Sequence, residues 1–202
     1  MVKNVNNVYS NIREIKRYAL EENVPIMQDD AMDFITDYIV KNNVCKILEI
    51  GTAIGYSSIM MALSSPLVTI KTIEKDGDRY KEALKNIKKL DLENRITLIF
   101  NDALDVKLDE KFDLIIIDAA KSKNLEFFHN FERNLDTNGS IITDNLNFHG
   151  YVDKDLKDIP SRNVRGLVKK IRNYKEFLKN NPDYNTTFYD IGDGISVTER
   201  RL

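Results

Sequence analysis

Five short apolar runs alternating with helical segments constrain this chain more than any other feature. "CKILEIG" (45–51), "VTIKTIE" (68–74), "RITLIF" (95–100), "FDLIIID" (112–118) and "GSIITD" (139–144) are short and rich in β-branched residues. The stretches near 56–64, 78–90 and 122–134 carry helical spacing instead, "RYKEALKNIKKL" (79–90) most clearly. Strands alternating with helices in this way form βαβ units, and therefore a mainly parallel sheet covered on both faces. Two helical patterns come first, at 5–22 and 29–42, the second with Ala31, Phe34, Ile35, Tyr38 and Ile39 at helical spacing. The C-terminus breaks the rhythm: "YNTTFYDI" (184–191), a Gly-Asp-Gly turn (192–194) and "ISVTER" (195–200) predict an antiparallel hairpin. The expected fold is α/β: a seven-stranded, mostly parallel sheet with helices on both faces.

Nothing in the sequence divides it into separate domains. With 202 residues, 42% hydrophobic and 31% charged, the chain suffices for one domain, 1–202. Within it, 1–42 supply N-terminal helices, 45–145 the core, and 161–202 a basic helix and the hairpin. No apolar run approaches the ~20 residues that cross a bilayer, and the N-terminal stretch lacks the hydrophobic centre of a signal peptide. A cytoplasmic protein with no membrane partner is expected. Cys45 is the only cysteine, which excludes an internal disulfide and a thiolate metal cluster and leaves a small residue beside a strand. A net charge of −2 argues against a generally basic nucleic-acid binder.

In an open α/β sheet, ligands bind beyond the carboxyl ends of the strands, so the residues at those ends are the candidates for chemistry. After the first strand, "LEIGTAIGYSS" (48–58) places Gly51 and Gly55 where the backbone can turn and approach a ligand, and opens a helix at Tyr56-Ser57-Ser58 whose N–H groups suit an anion. The same loop also serves as a plain strand-to-helix turn. Glu74 ends the next strand, where an acid accepts hydrogen bonds from ribose hydroxyls, and Asp102 and Ala103 after the third could edge an adenine. The Gly-x-x-x-Gly spacing lacks the Gly-x-Gly-x-x-Gly of a pyrophosphate loop, which disfavours a nicotinamide dehydrogenase. Asp118 and Asp144 each end an apolar run, and Asn145 follows the second; they could cap helices or, as hard oxygen donors, hold a divalent cation.

"LEIGTAIGYSS", Glu74, "NDA" and "IDAAK" followed by "TDN" together resemble the class I S-adenosylmethionine-dependent, cation-dependent O-methyltransferases, the family that includes catechol O-methyltransferase. The likeness runs from about Val24 to the C-terminus. It implies a Rossmann-like methyltransferase fold in which the Asp118 and Asp144 strands are neighbours. It further implies Mg²⁺ or Mn²⁺ on Asp118, Asp144 and Asn145, and S-adenosylmethionine contacts from Glu49, Gly51, Ser57, Glu74, Asp102, Ala103 and Asp118. Lys121 matches the family's general base; an ordinary lysine is charged at neutral pH and works as a base only where nearby positive charge favours its neutral form. Ala53 and Ala120 stand where relatives carry larger residues flanking the cofactor, and Asn124 where an aromatic is common. A homodimer is also implied.

One segment departs from the acidic balance. "SRNVRGLVKKIRNYKEFLK" (161–179) holds seven Lys/Arg against one acid. At helical spacing Val164, Leu167, Val168, Ile171, Tyr174 and Leu178 share one face, and Arg162, Arg165, Lys169 and Arg172 another, about 80° wide. Such a stripe is either a solvated face or a phosphate-contacting surface. "TDNLNFHGYV", "RNVRGLVKKIRNYKEFL" and "YDIGDGISVTERR" resemble the bacterial branch that methylates 5-hydroxyuridine at the tRNA wobble position to 5-methoxyuridine. The implied partner is a tRNA anticodon loop, ahead of a small catechol or caffeoyl-type acceptor. A non-catalytic S-adenosyl-ligand sensor would keep the Gly51/Glu74 half and lose the metal half, whereas both halves are present here. His129 and His149 are expected to be structural or surface residues, with His149 near enough to Asp144 to line the pocket.

Overall fold

Seven strands hydrogen-bond into one sheet in a computed structural model that describes residues 5–201. They are β1 (Lys46–Ile50), β2 (Thr69–Glu74), β3 (Ile96–Phe100), β4 (Phe112–Ile117), β5 (Leu135–Thr143), β6 (Tyr184–Tyr189) and β7 (Ile195–Arg200), in the spatial order β3-β2-β1-β4-β5-β7-β6. The first five are parallel and β7 joins β5 antiparallel, with β6 at the edge. The order reverses between β1 and β4, which opens a crevice at their carboxyl ends. Helices α1 (Val5–Glu21), α2 (Asp29–Lys41), α3 (Tyr56–Ser64), α4 (Gly77–Lys89), α5 (Asn124–Phe131) and α6 (Arg162–Asn180) cover the sheet.

Alternation along each strand divides the core in two. Ile47, Leu114, Ile116 and Ile142 face one layer with Ile15 and Ala19 of α1, Ile35 and Ile39 of α2, Ile59 of α3 and Ile87 of α4. Leu48, Ile50, Ile115, Ile117 and Ile141 face the other, with Phe127, Phe128 and Phe131 of α5 and Ile171, Tyr174 and Leu178 of α6. The predicted face of α6 is therefore the one it buries, and Ser161 caps its start by accepting from the Val164 N–H at 3.4 Å.

Two boundaries differ from expectation. The single helix predicted over 122–134 is a 3₁₀ turn (Lys121–Lys123), then α5, then a second 3₁₀ turn (Glu132–Asn134). β5 starts at Leu135 instead of Gly139, because Leu135 pairs with Phe112 before the register shifts to Leu114 and Ser140. The interposed Asp136, Thr137 and Asn138 are exposed and polar, so no apolar pattern announced this stretch. Among the described residues no helix is long and apolar enough to cross a membrane.

Gly51 sits where β1 meets the crevice, at φ +104, and a Cβ there would fall 2.0 Å from the Asp118 carbonyl oxygen. Gly166, in α6, has open space around it. Urea unfolding of the two alanine variants should therefore diverge: Gly51→Ala loses more than about 3 kcal/mol, whereas Gly166→Ala gains about 0.5–1 kcal/mol from helix propensity. Equal effects would contradict the packing described.

Candidate active site and metal centre

A cavity of about 490 Å³ opens beyond the carboxyl ends of the parallel strands. Its wall includes Gly51, Ser57, Glu74, Asp102, Ala103, Asp118, Lys121, Asp144 and Asn145, contributed by every strand-to-helix turn that the sequence singled out. Backbone geometry explains the convergence. Parallel pairing aligns Ile50 with both Ile73 and Ile117, and Ile117 with Thr143, so the residues that follow reach the same rim. Asp118 N–H donates to the Ile50 carbonyl at 3.0 Å and Asp144 N–H to that of Ile117 at 3.2 Å.

On the β1 and β2 side, Glu74 is held by three backbone N–H groups: Ala53 at 2.8 Å on Oε2, Lys75 at 2.9 Å and Asp76 at 2.8 Å on Oε1. A carboxylate has about four lone-pair positions, so Glu74 keeps capacity for a further donor from the cavity. The start of α3 has no side-chain cap and follows Gly55 at φ +84, which presents its first-turn N–H groups to an anion. Ser57 lies on the wall, but its hydroxyl donates to Glu49 Oε1 at 2.5 Å. Glu49 is wholly buried beneath the wall, where Ser58 and Thr72 also donate to it. Desolvation raises its pKa, those three hydroxyls oppose the rise, and the Asp118 charge adds to it. Asp102 accepts from the Leu104 N–H at 3.0 Å and pairs with Lys75 at 3.3 Å, while Asn130 holds the Ala103 carbonyl at 2.8 Å.

The β4 and β5 tips carry the unusual electrostatics. Asn145 Nδ2 donates to Asp118 Oδ1 at 2.9 Å and to Asp144 Oδ2 at 3.2 Å, bridging two carboxylates on neighbouring strands. Neither acid caps a helix: the 3₁₀ turn after β4 has no side-chain cap, and Asp144 accepts from the N–H of Asn145 at 2.6 Å. Loss of water pushes both pKa values up. Lys121 and Asn145 oppose the rise in Asp118, whereas the neighbouring Asp118 charge drives Asp144 further, from 3.8 to about 7. Among the described residues no three His, Cys, Asp or Glu side chains gather as a metal site. The donor set is instead two carboxylates and one amide, and a half-turn of that amide would offer oxygen in place of nitrogen. Two repelling carboxylates, Asp144 buried and Asp118 half-buried, with a hard amide oxygen suit a hard divalent cation.

Other contributors carried no sequence signal. Pro25, Ile26, Met27 and Gln28 reach the wall from the connection between α1 and α2, and Asp193 reaches it from the hairpin turn. Only tertiary pairing across the chain brings them there. His149 lies on the wall and is exposed, whereas His129 pairs with Glu132 on the surface of α5. The basic stripe of α6 separates into two kinds of residue. Arg162 and Lys169 are exposed. Arg165 donates to the Ile159 and Pro160 carbonyls, and Arg172 to those of Val152 and Lys154, fastening the segment that leads from the site to the helix.

The repulsion between Asp118 and Asp144 has a pH signature. A carboxyl with a raised folded-state pKa stabilises the fold while protonated; that contribution is complete below the unfolded value and is lost as pH rises through the folded one. In EDTA, the melting temperature of Asp144→Asn should therefore gain on that of the wild type as pH rises from about 5 to about 8, the window set by a folded value of about 7. A difference that stays constant across that window contradicts the repulsion.

Comparison with known proteins places the chain among O-methyltransferases. Caffeoyl-CoA O-methyltransferase of Populus kitakamiensis is 25% identical over 193 residues, covering 92% of this chain and 82% of its own. Flavonoid 3',5'-methyltransferase of Vitis vinifera is 26% identical, covering 93% and 82%. A Staphylococcus aureus crystal structure, provisionally described as a caffeoyl-CoA O-methyltransferase, superposes with a TM-score of 0.89 at 36% identity, covering 98% of this chain and all of that one. A Bacillus cereus O-methyltransferase solved in complex with SAH (S-adenosylhomocysteine) gives 0.82 at 25% identity, covering 95% and 91%. The sequence model of the O-methyltransferase family matches residues 4–201, and the chain belongs to that family.

Proposed function

We propose that this protein transfers the methyl group of S-adenosylmethionine to a ring hydroxyl that stands beside a second oxygen, with a divalent cation, Mg²⁺ or Mn²⁺, on Asp118, Asp144 and Asn145. The observation that carries the reading is the pair of carboxylates closing adjacent strands, bridged by the Asn145 amide. S-Adenosylmethionine fits the other half of the cavity. Gly51 and Ser57 line this part of the cavity, the free first-turn N–H groups of α3, that of Ser57 among them, meet the methionyl carboxylate, and the spare capacity of Glu74 meets the ribose. Asp102 and Ala103 edge the adenine. Glu49, beneath the wall, accepts from the Ser57 and Ser58 hydroxyls and so fixes the first turn of α3.

Asp118, Asp144 and Asn145 would hold the ion, which when bound would supply acidity to the acceptor hydroxyl. Asp118 and Asp144 offset the charge of the ion, and the walls of the cavity set the acceptor oxygen in line with the methyl group. Lys121, on the 3₁₀ turn after β4, takes the proton from that oxygen. For the acceptor, the reading is 5-hydroxyuridine at the tRNA wobble position, whose 5-hydroxyl and ring carbonyl form the required oxygen pair. The exposed cations Arg162 and Lys169 would meet the phosphates. A second reading, a small phenolic acceptor, is favoured by the substrates named for the Populus and Vitis relatives.

Two measurements test the proposal. Asp144→Ala should lower turnover by about a thousandfold or more while holding S-adenosylhomocysteine affinity within about threefold, because the ion acts on the acceptor. Methylation that persists in EDTA would remove the metal from the account. Mass spectrometry of tRNA nucleosides should show 5-methoxyuridine lost and 5-hydroxyuridine raised in cells lacking the protein. Unchanged 5-methoxyuridine, with methylation of a catechol in vitro, would establish the small-molecule acceptor.

A further inference from the structure

The Gly192-Asp193-Gly194 turn belongs to the β6–β7 hairpin, yet it packs against the loop that follows Asn145. Asn147 N–H donates to the Asp193 carbonyl at 2.7 Å and Leu146 N–H to that of Gly194 at 2.9 Å. Both glycines have positive φ, and a Cβ on Gly194 would meet the Asn147 side chain at 2.5 Å, so the turn and the loop fit closely. The Asp193 side chain divides its two oxygens. Oδ1 accepts from the His149 N–H at 2.5 Å. Oδ2 is buried and has no hydrogen-bond partner among the described residues; His149 Nδ1 approaches only to 3.8 Å.

A carboxylate in a residue only 6% exposed is costly to leave with an unmet oxygen, and Asp193 lines the same cavity as Asp118, Asp144 and Asn145. Loop anchoring accounts for Oδ1 and for the backbone, and leaves Oδ2 unexplained. We infer that Asp193 is an outer carboxylate of the cation site, its charge, unmatched on the buried Oδ2, adding to that of Asp118 and Asp144 around the ion. The inference rests on the metal reading proposed above. Placed on the wall of the same cavity, the negative charge of Asp193 strengthens the field at the ion without occupying a coordination position. Outer partners of this kind commonly change metal affinity by 10–100-fold.

Asp193→Asn isolates the role, because an amide keeps an oxygen for the His149 N–H while removing the charge and replacing Oδ2. Mn²⁺ binding to the full chain, followed by the electron paramagnetic resonance of free Mn²⁺, should show wild-type binding, loss in Asp144→Ala, and about tenfold weaker binding in Asp193→Asn. Melting temperature and S-adenosylhomocysteine affinity should be unchanged in Asp193→Asn. Wild-type affinity for Mn²⁺ in Asp193→Asn overturns the inference and leaves the metal reading standing. So does weakened Mn²⁺ binding that comes with a parallel fall in melting temperature and S-adenosylhomocysteine affinity, which would mark loop anchoring alone. If His149→Ala weakens Mn²⁺ binding as much as Asp193→Asn does, Oδ2 serves the imidazole and the inference fails. Absence of Mn²⁺ binding in the wild type overturns both.

Discussion

The repulsion between Asp118 and Asp144 organises this molecule. Parallel pairing of β4 with β5 delivers the two carboxylates to one rim, where each loses water and one raises the pKa of the other. Protonation of one acid relieves such an arrangement, and so would the cation proposed between them. The rest of the rim is consistent with the cation proposed there, since Asn145 already bridges the pair and Lys121 lies on the same cavity wall.

Support for the pair comes from distant parts of the chain. Tyr174 of α6 is hydrogen-bonded to Thr143 at 2.9 Å, immediately before Asp144. Arg165 and Arg172 fasten the backbone of the connecting segment, and the hairpin turn pins residues 146–149 from the other side. The loop needs this restraint because Asn145, Phe148 and His149 all adopt positive φ, a conformation that costs free energy in residues other than glycine. A basic helix that reads in isolation as a nucleic-acid surface thus spends two of its stripe cations on the protein's own backbone, and Arg162 and Lys169 stay exposed.

Much of this was legible from residues alone. Strand-terminal acids, the Gly51 turn and Glu74 lie at positions where period-two runs stop, and α/β topology sends those positions to one crevice. The parallel sheet and the C-terminal hairpin followed from spacing in the same way. What stayed hidden depends on contacts between segments far apart in sequence. Glu49 reads as a site acid but lies beneath the wall, because an alternating strand points it away from the cavity and toward Ser57, Ser58 and Thr72. The start of β5 escaped because its polar residues are exposed and break the apolar run. Asp193 sits in an ordinary turn sequence, and only the packing of that turn on the loop after Asn145 reveals its buried oxygen.

Anomalous diffraction at the manganese edge, from crystals grown with Mn²⁺ and S-adenosylhomocysteine, tests the account most directly. A single strong peak within coordination distance of the oxygens of Asp118, Asp144 and Asn145, about 2.0–2.6 Å for hard divalent cations, is the predicted result. A rim without density, or manganese bound elsewhere while the Asn145 amide still donates to both carboxylates, would contradict it.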